Sequence, residues 1–70
     1  MKILIVLEKT ETGYSAYSPD VISCVATRAT REEVEREMRE TIAFYLKGLR
    51  ADGAEFPEPN AYATYCDIAA

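Results

Sequence analysis

The sequence predicts a single α+β domain of order β-β-β-α-β, with the sheet in the order 3-2-1-4 and one helix packed on one face. Three observations carry this. The run Ile3-Leu4-Ile5-Val6-Leu7 is aliphatic on both parities, which suits a central strand covered on both faces. Val34, Met38, Ile42, Tyr45 and Leu49 recur at helical spacing and, widened by Leu46, make one apolar stripe. The helix plus a stiff connector is long enough to return a last strand parallel to the first, on the side of it away from strand two.

Each element has its own local reason. Lys9-Thr10-Glu11-Thr12-Gly13 is polar and ends in glycine, so it predicts a short hairpin turn after strand one. Strand two is Tyr14-Ser15-Ala16-Tyr17-Ser18, interrupted at Pro19-Asp20, because proline lacks a ladder donor and aspartate favours turns. Ile22 to Arg28 makes a third strand. Thr30-Arg31-Glu32-Glu33 matches a capping box, with the Thr30 hydroxyl accepting from the Glu33 amide and the Glu33 carboxylate returning to the Thr30 amide. The helix it opens runs from about Thr30 to Arg50, and Asp52-Gly53 ends it with Gly53 left-handed. Pro57 and Pro59 hold residues 55–60 extended. Ala61 to Ile68 alternates as a last strand, with Tyr62, Thr64, Cys66 and Ile68 on one side and Ala63, Tyr65 and Asp67 on the other.

The 70 residues make one domain, 1–70, near the size at which a core alone supplies only ~3–5 kcal/mol and a partner subunit is a common supplement. One sheet face is left without a helix, so self-association as a homodimer or higher homo-oligomer is expected. Twelve acidic against eight basic residues give a net charge of −4, which argues against gripping nucleic acid or anionic lipid and favours a basic partner. The absence of histidine removes imidazole acid–base catalysis and histidine-ligated zinc. Cys24 and Cys66 fit neither a disulfide framework nor a CxxC knuckle and are read as free thiols. The aliphatic run is too short for a signal peptide or a membrane span, and the chain reads as cytoplasmic. Glutamates 32, 33, 35, 37 and 40 read as a solvated, ion-paired helix face rather than a metal-binding carboxylate cluster. No metal and no cofactor are expected, and no catalysis.

An ordered set of short motifs adds a family. Gly13-Tyr14, Pro19-Asp20-Val21-Ile22-Ser23-Cys24, Thr30-Arg31-Glu32-Glu33, Tyr45-Leu46, Asp52-Gly53 and Pro57-Glu58-Pro59 stand in the order in which the HicB-like antitoxins of toxin–antitoxin pairs carry their motifs. The chain resembles that family over nearly its whole length, with Ser23 where the family has glycine. The resemblance implies a truncated, partial ribonuclease H-like core. It also implies a partner, a small basic HicA-like ribonuclease toxin. The helix-turn-helix or ribbon-helix-helix segment of longer members does not follow Ala70, so direct DNA binding is not expected.

Charge and exposure, not the resemblance, select the partner-binding candidates Tyr14, Tyr17, Asp20, Glu33, Glu37 and Glu40. The tyrosines suit either an interface, where a large ring with a polar tip is favoured, or cross-strand packing. Asp20 suits either a contact or an ordinary turn. Three functions follow: an antitoxin that occludes a basic toxin, a self-associating scaffold or small-ligand-binding domain, and a residual nuclease. The first is the reading the sequence favours.

Overall fold

Regular structure in the computed structural model, which describes residues 1–70, consists of β1 (Val6–Lys9), β2 (Tyr14–Tyr17), β3 (Val25–Arg28) and α1 (Arg31–Ala51). The strands form an antiparallel meander in the order β1-β2-β3. Its register sets Leu7 opposite Ala16 and Ala16 opposite Ala26, while Val6 faces Tyr17 and Tyr17 faces Val25. Alternation therefore sends Leu7, Ala16 and Ala26 to the helix side, and Val6, Tyr17 and Val25 to the other.

The β1–β2 turn closes through the Thr10 amide donating to the Gly13 carbonyl at 2.8 Å. Between β2 and β3, the buried Ser18 hydroxyl accepts from the amides of Asp20 (3.3 Å) and Val21 (3.2 Å), and the Cys24 amide donates to the Val21 carbonyl. This side-chain turn follows from a serine placed just before proline, where its oxygen meets amides that have no ladder partner. It draws Val21 and Cys24 into the core and shortens the expected third strand to Val25–Arg28.

Both ends of α1 are chemically determined. Thr30 and Glu33 form the reciprocal capping box, with the Glu33 amide 3.2 Å from the Thr30 hydroxyl and the Thr30 amide 3.2 Å from the Glu33 carboxylate. At the other end Gly53 has φ +70°, its amide donates to the Arg50 carbonyl, and the Ala54 amide donates to the Leu49 carbonyl. That pair of bonds is a Schellman motif, which satisfies carbonyls the helix would otherwise leave open.

Val34, Met38 and Ile42 are the buried helix residues, and with Ala16, Val21 and Cys24 they make a six-residue core. Farther along the stripe Tyr45 is 37% exposed, and Leu46 and Leu49 are half-buried. The cause is length: 21 helical residues extend about 31 Å, whereas four-residue strands extend about 13 Å. The helix overhangs its sheet.

The four-stranded sheet of order 3-2-1-4 is not formed, and the partial ribonuclease H-like arrangement falls with it. The sheet has three strands, and residues 61–70 lie outside it without regular structure. Consequently β1 is an edge strand and not the central one. Ile3, Ile5 and Leu7 pack against the core, while Leu4 and Val6 are half-buried on the far parity. Only Val6 and Leu7 of the run lie in β1, Ile3–Ile5 precede it without regular structure, and the far parity, Leu4 and Val6, has no cover within the chain. The tail alternates as a strand does, but Ala61, Ala63, Ala69 and Ala70 offer little surface to offset the entropy of ordering it.

The two thiols are unpaired, Cys24 in the core and Cys66 exposed on the tail. Native-state titration with a thiol reagent is expected to modify Cys66 at once and Cys24 only on unfolding. Equal rates would mean that the Val21–Cys24 turn does not close over the core.

Candidate functional site

Asp20 joins parts of the chain forty residues apart. Its Oδ1 accepts from the backbone amides of Asn60 and Ala61, both at 3.1 Å. The Ser18-centred turn orients the carboxylate, and Pro57 and Pro59 hold the approaching segment extended, so two successive amides converge on one oxygen. Its second oxygen, Oδ2, is buried with no hydrogen-bond partner. Asp20 occupies the local turn that the sequence offers for it, its amide donating to the Ser18 hydroxyl, and the long-range anchor comes in addition to that turn. Such a bond leaves no periodic signature, although the coincidence of a Pro-Asp turn with a Pro-x-Pro connector was the available hint. Asp20→Ala is expected to speed amide exchange at Asn60 and Ala61 by about tenfold, the equivalent of a net ~1.4 kcal/mol bond, while the α1 amides keep their protection. Unchanged exchange at both positions would show that the tail is held by other means.

Tyr17 lies on the sheet face away from the helix, 43% exposed, between Val6 and Val25 in adjacent strands; Val25 is 66% exposed. These three side chains form an apolar row across the uncovered face. Tyr14 belongs to the opposite face, packed against the core. It also lines a groove with Ile5, Leu7, Lys9 and Arg31, at whose rim Tyr65 stands almost fully exposed. The two tyrosines therefore do not share a surface, as their spacing of three along a strand requires.

The helix glutamates have separate occupations. Glu33 is committed to the capping box. Glu37 pairs with Arg28 of β3 at 2.7 Å, tying the helix to the sheet edge, and Glu35 pairs with Arg31 at 3.2 Å. Glu40 is exposed and forms no ion pair. The six candidates are thus spread over the uncovered face, the core-facing side of β2, the tail anchor and the helix surface. No group of three or more acidic or cysteine side chains is placed to hold a metal ion, and no helix is long and apolar enough to cross a membrane.

A second apolar surface lies at the overhanging end of α1, where nothing in the sequence marked a site. Phe44 is 80% exposed there and Ile22, in the facing β2–β3 connection, 84%. Between helix and connection runs a groove of about 480 Å³ lined by Cys24, Thr41, Phe44, Tyr45 and Leu49 among others.

Two known proteins resemble the chain, one of like size and one about twice as long. It is 41% identical over 56 residues to a UPF0150 protein of Helicobacter pylori strain J99, an alignment covering 80% of this chain and 78% of the relative. It is 33% identical over 61 residues to an uncharacterized 14.9 kDa protein in the rep-hol intergenic region of Haemophilus phage HP1, covering 87% of this chain and 46% of that one. The chain therefore spans just under half the length of the phage protein. No family model and no solved structure matches it. Identity at that level across about four-fifths of both the chain and its Helicobacter relative establishes that the chain belongs to the UPF0150 family.

Proposed function

We propose that this chain is a non-catalytic binding protein of the cytoplasm, an antitoxin-like homo-oligomer that occludes a small basic ribonuclease toxin. The observation that carries the reading is the amount of surface the fold leaves uncovered. The chain exposes 5812 Å², about 1,400 Å² more than the ~4,400 Å² of a compact monomer of 7.8 kDa. Its radius of gyration of 14.1 Å compares with ~11 Å for a compact chain of this length. A standard interface takes about 800 Å² from each partner, so the surplus exceeds what one such contact covers.

The chemistry of that surface selects the partner. The row Val6, Tyr17 and Val25 offers an apolar centre with an aromatic anchor, the composition that interface cores favour. The chain as a whole carries a net charge of −4, and Glu8 lies on the same face by alternation. A basic, RNA-binding protein would be steered to a chain of this charge, and occupation of its RNA-binding side would neutralise it without any bond being broken. The HicB-like motif set agrees with this role; the four-stranded sheet that the resemblance implied is no part of it.

Co-expression with a small basic protein encoded beside this chain tests the reading. Growth rescue and a complex that weakens with salt are expected, with Val25→Asp reducing both. No rescue and no complex would leave the self-associating scaffold in place of the antitoxin.

A further inference from the structure

We propose that the free edge of β1 is a symmetric strand–strand interface between two copies of this chain, with residues 2–8 of each copy running antiparallel about a two-fold axis at Ile5. The inference rests on the self-association proposed above and supplies its surface.

The edge has backbone groups to offer. The Thr10 amide donates to the Gly13 carbonyl, and Val6 and Glu8 stand opposite Tyr17 and Ser15, so the even residues of β1 direct their amides and carbonyls to β2. Those of Leu7 point the other way, where no strand lies beside β1. Ile3 and Ile5 pack on the core with Leu7 and continue its alternation, so their backbone groups share the outward direction.

The side chains are equally incomplete. Ile3–Leu7 is the only uninterrupted aliphatic run of the chain, yet all five residues are only half-buried. α1 packs mainly over β2 and β3, leaving the β1 side clear. An apolar groove of about 320 Å³ stays open there, between Ile3 and Ile5 and the helix residues Ile42 and Leu46. No proline or charge interrupts residues 3–7, and those are the devices by which edge strands avoid pairing.

The occupant is a second copy because one register makes the edge complementary to itself. Alternation restricts the choice to registers that set odd positions opposite odd and even opposite even. Centring on Ile5 sets Ile5 opposite Ile5, Ile3 opposite Leu7, Leu4 opposite Val6, and Lys2 of each copy opposite Glu8 of the other. Every apolar residue then meets an apolar one, and every charge meets its opposite. Moving the centre to Leu4 sets Lys2 against Val6, and moving it to Val6 sets Leu4 against Glu8. In the favoured register the three-stranded sheets join into one, with both helices on one face and clear of the junction. On the other face the two rows of Val6, Tyr17 and Val25 become continuous.

The experiment is sedimentation equilibrium of the full chain, alone, with amide exchange followed over a range of concentrations. Wild type is expected to reach twice the 7.8 kDa chain mass at micromolar concentration. Lys2→Glu and Glu8→Lys should each weaken dimerisation about tenfold, because each turns two attractive cross-strand pairs into two repulsive ones. The double variant Lys2→Glu/Glu8→Lys should restore it. Both side chains are exposed and lie at opposite ends of the run, so neither change disturbs the monomer. The Ile5 and Leu7 amides should exchange at least about tenfold more slowly in the dimer than at high dilution. A monomeric wild type would overturn both this interface and the self-association it rests on. A dimer indifferent to both single reversals, or not restored by the double one, would overturn the β1 pairing alone and leave self-association to the open sheet face. Protection of Ile5 and Leu7 that is independent of concentration would show the edge covered within one chain, and would overturn the pairing as well. Toxin rescue in each case is read separately.

Discussion

Met38→Ala is expected to leave the chain largely unfolded at 25 °C. Met38 is fully buried, at the midpoint of the stripe, and with Val34 and Ser18 it is among the three largest completely buried side chains. Only seven residues of the 70 are buried, so each carries a large share of the core. Truncating a buried methionine costs roughly 2–5 kcal/mol, through lost transfer energy and the cavity left behind. A domain of this size holds only about 3–5 kcal/mol in total. The substitution therefore consumes most or all of the stability, whereas Met38→Leu, close to it in volume, should cost less than ~1.5 kcal/mol. Urea unfolding followed by far-ultraviolet circular dichroism is the measurement. A cooperative transition for Met38→Ala displaced by less than about 1 kcal/mol would show that contacts outside the helix–sheet core, such as those between copies, hold the fold.

The residues differed in how far their sequence context disclosed their place. Thr30 and Glu33 lie three apart and interact through their own backbone, so the capping box was fully legible. Gly53 was likewise readable because the Schellman bonds to Arg50 and Leu49 span one helical turn. The periodicity of Val34, Met38 and Ile42 identified the buried face, but periodicity carries no information on where the opposing sheet stops. Tyr45 and Leu49 continue the pattern beyond the strands and stay partly exposed. For Ile3–Leu7, apolar composition on both parities indicated two covered faces. It could not distinguish a central strand from an edge strand whose second face awaits another molecule. Ala61–Ile68 had the alternation of a strand, but one parity holds only Tyr65 between Ala61, Ala63 and Asp67, too little apolar surface to offset the entropy of ordering it, and there pattern outran energetics. Asp20 shows the remaining gap. A single carboxylate oxygen meeting the amides of Asn60 and Ala61 depends on where two loops end, which no local rule encodes.

These differences bear on function as well. Residues chosen for charge, such as Glu33 and Glu37, turned out to have neighbours within the chain, a cap and Arg28 respectively. The apolar groups left exposed, Val25, Phe44 and the tail residues Tyr62 and Tyr65, are the ones that a binding protein has available. In a chain this small, an exposed aromatic is therefore a stronger pointer to a contact surface than an acidic residue on a helix.

Gly13→Ala is the second substitution expected to have a large effect, and the reason is steric. Gly13 closes the β1–β2 turn, its carbonyl accepting from the Thr10 amide, and the next residue, Tyr14, pairs with Arg28. A Cβ at position 13 would run into the Arg28 carbonyl oxygen and come within 3.0 Å of the Ala29 Cα and 3.2 Å of the Arg28 carbonyl carbon. All three are backbone atoms, so no rotamer change relieves the clash. Relief requires β2 to move away from the end of β3, which disturbs the Tyr14–Arg28 pairing and the chain that leads into the Thr30 cap. The expected loss is at the upper end of the ~1–3 kcal/mol typical of overpacking, enough to remove most of the stability of so small a domain. Gly48→Ala is the internal control, since its Cβ meets nothing within 4 Å and should stabilise the dilute monomer by about 0.5–1 kcal/mol through helix propensity. Paired thermal unfolding of the two variants at high dilution should give shifts of opposite sign. A Gly13→Ala protein as stable as wild type would mean that the hairpin turn does not rest against the β3–α1 junction, and the packing of β2 on β3 would have to be redrawn from that point.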